Sequence, residues 1–374
     1  MRQAFIGAQI FDGQRLHTDA VLVVDGDRVA EIGHSVPKGA QEIRLAGGFL
    51  LPGLIDLQVN GGGGLMVDGQ TSASTLAAIC AIHARLGATG ILPTLITDTP
   101  DATDHVIAAA KAAKGSPGFL GLHLEGPHLD PRRKGAHDPA LIRPMEDADL
   151  SRLLRAADQL PALMVTVAPS AVTASQIAAL AERGIIVSLG HSDCTGAEAQ
   201  AAIRAGASCA THLFNAMSQI GNREPGLAGT VLSQGIACGL IADGIHVHPD
   251  VMRLALAAKP DAVFLVSDCM AAAGTDQQEF TLNGRRILRQ GGRLTLEDGT
   301  LAGADLTLPR AIKVLVDAVG ITPERAFAMA CRIPADVIGR NDIGRISPGL
   351  RADLVSLSSD FALNGVWQAG VRLS

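Results

Sequence analysis

Short apolar runs alternate with Ala-rich stretches of helical spacing through most of the chain. The runs are LIDLQV (54–59), GILPTLI (90–96), FLGLHLE (119–125), ALMVTVA (162–168), IIVSLG (185–190), CATHLF (209–214), IACGLIA (236–242) and AVFLVSD (262–268). Helical patterns separate most of them, at 72–87, 101–114, 146–159, 173–183, 195–205 and 249–258, and Thr195 to Glu198 has the T-x-x-E form of a capping box. Runs without polar alternation fit strands buried on both faces, as in a parallel sheet with helices on each side. Eight such units over about 250 residues match an α/β fold of the (β/α)8 TIM-type barrel. An open doubly wound sheet is the alternative that the periodicity leaves standing. Further helices are expected at 305–318 and 323–331.

The two ends have a different rhythm. AFIGAQIFDG, DAVLVVDGDRVAEIG and EIRLAGGFLLPG near the start, and GRISPGLRADLVSLSSD and ALNGVWQAGVRL near the end, are short β-rich runs broken by turns. Asp25-Gly26 between two of them marks a hairpin. The expectation is a small β-sandwich domain built from both termini, residues 1–52 with 343–374, beside a barrel of 53–342. FTLNGRRILRQGGRLTLEDGT (280–300) breaks the alternation and predicts a β insertion near 276–300.

Composition narrows the function. Hydrophobic residues are 47% of the 374, ample for a large core. A net charge of −6 argues against a nucleic-acid binder, and with no Tyr and one Trp a platform for stacking bases is not expected. Met1 to Gly13 lacks the basic and apolar regions of a signal peptide, and no apolar run approaches the roughly 18 residues of a membrane span. Six Cys, at 80, 194, 209, 238, 269 and 331, form no C-x-x-C pair. They read as reduced, buried thiols of a cytoplasmic protein.

Polar residues gather where the runs end. The first ends in Gln58 and Asn60, the third in Glu125, the fifth just before His191. The sixth carries His212, the seventh leads to Asp243 and His246, and the eighth ends in Asp268. In a closed barrel these ends share one face, where barrel enzymes keep their chemistry. A buried carboxylate needs a partner. Two His and one carboxylate with an open position are a ligand set for a hydrolytic metal. Single residues carry less weight. A lone strand-end His is more often a hydrogen-bonded core residue; Glu125 alone could be an ion-paired acid, but with no Lys or Arg in its strand and Pro127 close behind a ligand is favoured, and a cap is the lesser reading of Asp268. His123 shares a face with Glu125 by the period of two; support for the site and a satisfied core His are both open for it. His17, His34, His83 and His105 read as surface or packing residues. PRRK (131–134) reads as a solvated loop, with steering of an anionic substrate as the lesser alternative. Cys269 reads as a small buried filler.

With these residues assembled, the chain resembles the amidohydrolase superfamily and, within it, the N-acetylglucosamine-6-phosphate deacetylases. The resemblance spans nearly the whole chain. It rests on PGLIDLQVNGGGG (52–64), HLEGPHLDPRRKGAH (123–137), GHSDC (190–194), THLFNAMS (211–218), REPGLAG (223–229), DGIHVHP (243–249), LVSDCMAAAG (265–274), LAGADLTL (301–308) and GRISPGLRADLV (344–355), in this order. Many members carry His-x-His at the end of the first strand and hold two metals. Here Gln58-x-Asn60 stands there, amides bind transition metals poorly, and the fourth run has no Lys.

The resemblance therefore implies the single-metal type, with Glu125, His191 and His212 as ligands and water in the fourth position. Zn2+ is the first expectation, with Fe2+ or another divalent ion allowed by the same donors. It further implies Asp268 as general base and acid, and His137 on the substrate carbonyl. Asn215, the backbone at Ala216, Arg223 and His246 would bind the 6-phosphate. The products would be glucosamine 6-phosphate and acetate, and the assembly a homodimer whose subunits help close each other's phosphate pocket. His128 stands where relatives often carry an apolar residue, so its loop is expected to shape sugar specificity. Two rival readings remain: an amidohydrolase acting on a different N-acyl amino sugar or cyclic amide, and a catalytically silent sugar-phosphate-binding barrel. The second is disfavoured because the four metal and acid/base positions are intact.

Overall fold

In the computed structural model, which describes residues 1–373, eight parallel strands follow one another in a single sheet. They are β1 Leu54–Val59, β2 Ala88–Ile96, β3 Leu122–Glu125, β4 Leu163–Val167, β5 Ile186–Leu189, β6 Cys209–Ala210, β7 Ala237–Leu240 and β8 Val263–Leu265. Every residue of β1 to β4 is buried, which is why these runs carry no polar alternation. All eight predicted runs contain a strand.

The seam between β8 and β1 closes just beyond β8. The Asp268 amide donates to the Gln58 carbonyl at 3.0 Å, and the Asn60 amide to the Cys269 carbonyl at 3.0 Å. The buried Asp56 side chain accepts from the amide of Ser267 at 3.1 Å and from that of Gln58 at 3.1 Å. This ladder excludes the open sheet and brings Asp268 beside Gln58 and Asn60.

Seven helices alternate with the strands: α1 Ala73–Arg85, α2 Pro100–Ala112, α3 Asp147–Ala157, α4 Ala174–Glu182, α5 Gly196–Arg204, α6 Gly226–Ser233 and α7 Pro249–Ala258. Capping boxes start α1, α4 and α5, the last at the predicted Thr195–Glu198 pair. The periodicity did not predict α6. Its sequence, GLAGTVLS, has two Gly and helix-poor Thr and Val, and it is held instead by burial of Leu227, Ala228 and Val231. Past the barrel come α8 Leu308–Val314, one π-turn over Leu315–Val319, α9 Pro323–Ala330 and α10 Arg332–Val337. No helix among the described residues is long and apolar enough to cross a membrane.

The termini build two sheets that face each other. One holds Arg2–Ile6, Val21–Asp25, Arg28–Gly33 and Gln41–Arg44. The other joins Gln9–Phe11, Leu16–His17 and Phe49–Pro52 to Leu354–Leu357, Leu363–Gln368 and Val371–Arg372. Phe5, Leu22 and Val24 pack against Ile10, Leu50 and Trp367 between them, with Phe5 edge-on to Trp367 at 5.1 Å. The hairpin expected at Asp25-Gly26 turns through Gly26, whose φ of +63° suits a glycine. Phe11 and Phe49 clasp Phe327 of α9, fixing this domain to the barrel. Ser374, the last residue of the expected terminal domain, lies outside the described residues.

The insertion is an antiparallel sheet of four strands, Glu279–Leu282, Arg285–Gln290, Arg293–Leu296 and Leu301–Ala304, so it runs a few residues beyond the expected span. Leu282, Ile287, Leu294 and Ala302 pack on Met270 and Ile96 at the barrel mouth.

The seam has a titratable member. Burial pushes the Asp56 carboxyl up to about 7, against the pull of its amide donors. The native state therefore holds a proton there that the unfolded chain releases above about pH 4. Stability from this group is complete below that value and is lost as pH rises through about 7. In urea melts between about pH 5 and 8, the wild type is expected to lose stability relative to Asp56→Asn by at most about 1.4 kcal/mol per pH unit. Parallel pH curves would show that Asp56 titrates as in the unfolded chain.

Candidate metal centre and active site

Glu125 ends β3, His191 stands two residues past β5, and His212 stands two past β6. His191, His212 and Asp268 all have left-handed backbones, with φ of +45°, +28° and +49°. Such conformations cost on the order of 1–3 kcal/mol each and persist where the surroundings enforce them. Here they turn the chain at the strand ends, with all three side chains at the barrel mouth.

Three donor atoms meet there. Glu125 Oε1 lies 3.2 Å from His191 Nε2 and 3.0 Å from His212 Nε2, and the two nitrogens are 3.0 Å apart. His191 Nδ1 donates to the carbonyl of Arg133 at 2.8 Å, so the neutral ring offers its Nε2 lone pair to the shared point. These atoms stand at hydrogen-bond distance from one another, and together they offer a cation three ligands. The set, buried and within 4.8 Å, fits a divalent metal bound by imidazole and carboxylate. Burial pushes the Glu125 carboxyl up, but the His191 and His212 imidazoles that face it outweigh this and hold the group well below the usual carboxylate range.

Asp268 completes the floor. Its Oδ1 accepts from Gln58 Nε2 at 3.1 Å and Asn60 Nδ2 at 2.8 Å, and Gln58 Nε2 also lies 3.1 Å from Glu125 Oε1. Burial, reinforced by the Glu125 charge, pushes Asp268 up to about 6. His137 Nε2 is 3.9 Å from Glu125 Oε2, and its ring stands edge-on to His191 with centroids 4.3 Å apart. Burial, and then the neighbouring His191, keep the His137 imidazole well below its usual value, hence neutral.

A cavity of about 220 Å³ opens over these groups, and Asn215, Ala216 and His246 line it too. His246 Nδ1 is held by Asp243 Oδ2 at 2.6 Å. The insertion supplies Thr300, Leu301 and Gly303 to the wall. Gln58 lies beneath the cavity. Arg223 does not line it; it is exposed in the loop before α6. A larger space of about 460 Å³ opens at the other end of the barrel, against the terminal sheets, and none of the strand-end polar residues lies there. Converging donors outweigh size in locating the chemistry.

Other residues fall elsewhere. His128 turns away from the mouth, its Nδ1 3.2 Å from the Arg143 carbonyl and beside the Arg143–Asp149 ion pair. From the loop expected to shape sugar specificity, Gly135, Ala136 and His137 line the cavity, whereas His128 does not. His123 is a satisfied core histidine, 3.1 Å from the Leu57 carbonyl and 2.7 Å from Thr166 Oγ1. In PRRK, Arg132 pairs with Asp130 and Arg133 with Asp193. The use of the Arg133 carbonyl to orient His191 was not legible, because it is a backbone contact. All six Cys are buried and free.

Residues 49–373 match the model of the amidohydrolase family. An N-acetylgalactosamine-6-phosphate deacetylase of Shewanella sp. is 36% identical over 384 aligned positions, covering 96% of this chain and 97% of that one. The crystal structure of an N-acetylglucosamine-6-phosphate deacetylase from Pasteurella multocida superposes with a TM-score of 0.95 at 36% identity, covering 100% of both chains. A mutant N-acetyl-D-glucosamine-6-phosphate deacetylase from Mycobacterium smegmatis, in complex with N-acetyl-D-glucosamine-6-phosphate, superposes at 0.91 with 30% identity, covering 99% of both.

Glu125→Gln keeps the shape of the donor set and removes its charge. Elemental analysis after dialysis should show affinity for divalent metal reduced by more than the roughly 10–100-fold that loss of an outer hydrogen-bond partner costs. Undiminished metal would remove Glu125 from the ligand set.

Proposed function

The chain belongs to the amidohydrolase family, and we propose that it hydrolyses the acetamide of N-acetylglucosamine 6-phosphate to glucosamine 6-phosphate and acetate. The observation that carries this reading is the joining of a three-donor metal set and a separate carboxylate, Asp268, in one cavity. The relatives matched over the full chain bear the name of this chemistry. We propose a division of labour between a terminal sheet domain, 1–52 with 343–374, and a catalytic barrel of 53–342.

When held by Glu125, His191 and His212, a divalent ion supplies Lewis acidity to the acetamide carbonyl and a water acidic enough to react near neutral pH. Zn2+ is the ion we propose, with Fe2+ or another divalent ion compatible with the same donors. Asp268 Oδ1 is occupied by Gln58 and Asn60, so Oδ2 is the oxygen left for proton transfer. It takes a proton as water attacks the carbonyl carbon, then passes it to the amide nitrogen as the C–N bond breaks. A carboxyl raised toward 6 suits both halves of that task. His137 faces the same space and helps hold the oxygen on which negative charge grows. Asn215, the Ala216 backbone and His246 take the phosphate from one side. Arg223, exposed and outside its own chain's cavity, acts in this reading on the phosphate of a neighbouring copy, so the working form is a homodimer in the cytoplasm.

A second sugar is favoured by one observation: the Shewanella relative, 36% identical, bears the name of the galactosamine epimer. Both epimers belong in the assay. Acetate release from N-acetylglucosamine 6-phosphate is expected from the wild type, and Asp268→Asn should lower kcat by roughly 10²–10⁴-fold with metal retained. Release from neither sugar phosphate would overturn the deacetylase reading, and near-normal turnover by Asp268→Asn would remove Asp268 from proton transfer. Arg223→Ala should raise KM for the phosphorylated sugar well above any effect on unphosphorylated N-acetylglucosamine. An equal effect on both sugars would show that Arg223 does not read phosphate.

A further inference from the structure

The end of β2 carries none of the acids, bases or metal ligands of the site, yet its next residue reaches one of them. Thr97 is fully buried. Its hydroxyl Oγ1 lies 2.7 Å and its amide nitrogen 3.3 Å from the same atom, His137 Nδ1. A backbone N–H can only donate. With a proton on Nδ1, that N–H and the Thr97 N–H would face each other and the buried amide would lose this acceptor. With Nδ1 bare, the amide donates to it, and the hydroxyl does so at 2.7 Å in preference to the Glu125 carbonyl, its other acceptor, at 3.5 Å. The ring proton then sits on Nε2, on the side of Glu125 Oε2 at 3.9 Å. Gly126 makes room for the arrangement. A Cβ there would stand 2.3 Å from Thr97 Oγ1, and the φ of +93° is one that side chains seldom adopt.

We propose that Thr97 is a positioning residue that locks His137 in its Nε2–H tautomer, so that the ring presents a hydrogen-bond donor to the acetamide oxygen. In the other tautomer a lone pair would meet that oxygen and repel it. The donor gains strength as negative charge builds on the oxygen, so the lock acts on the chemical step more than on binding. What the donor meets rests on the deacetylase reading; the position of the proton does not.

The test labels histidine with ¹⁵N in the full-length, Zn2+-loaded protein and records the imidazole nitrogen shifts, with His137→Gln identifying the signal. Wild type and Thr97→Ser are expected to show a bare Nδ1 and a protonated Nε2. Thr97→Val, which replaces the hydroxyl by a methyl and leaves the backbone amide in place, should move both shifts part of the way toward a mixture of tautomers. It should lower kcat by about 10–100-fold, the range for loss of a partner behind a catalytic group, with KM and metal content little changed. Protonated Nδ1 in the wild type, unchanged shifts in Thr97→Val, or failure of Thr97→Ser to keep activity would each overturn the proposal. If Thr97→Val does not fold, the wild-type spectrum still decides. If neither sugar phosphate is turned over, the deacetylase reading falls while the nitrogen shifts still judge the lock.

Discussion

Two buried carboxylates, Glu125 and Asp268, share one amide group, the Nε2 of Gln58, at 3.1 Å from each. Like charges buried this close cannot both stay ionised without compensation. The amide orients them but brings no charge. Compensation for Glu125 comes from the side where His191 and His212 converge, which is also where a cation fits. Asp268 has no such partner and responds by holding its proton more tightly. The difference between a ligand and a proton carrier thus follows from which carboxylate the histidines face.

That arrangement depends on the closure of the barrel. Asp268 belongs to the segment that zips onto β1 past the end of β8, and Gln58 and Asn60 belong to the strand it zips onto. The two amides at the end of β1 donate to Asp268 Oδ1 and so hold it in place.

The eight runs and most helices were legible because burial on both faces and capping leave marks in local sequence. α6 was not, since tertiary packing and not propensity holds it. Of the site, Glu125, His191, His212, His246 and Asp268 were legible as strand-end polar positions, whereas His137 came only from the resemblance. Thr97 was not legible, because a threonine after an apolar run has many ordinary explanations. The Arg133 carbonyl left no trace in residue type at all. The turn of the His128 side chain to the Arg143 carbonyl was not legible either, because that acceptor is backbone. Arg223 came from the resemblance alone, and it stands exposed outside the cavity.

The sheet that joins both termini has a consequence for synthesis. Phe49–Pro52 pairs with Leu354–Leu357, about 300 residues later in the chain. At the roughly 5–20 residues per second of translation, this strand waits about 15–60 s for its partner to be made. Throughout that interval its edge and the apolar Phe49, Leu50 and Leu51 are open to other chains. The terminal sheet can therefore close only after the whole barrel between its two halves has been made.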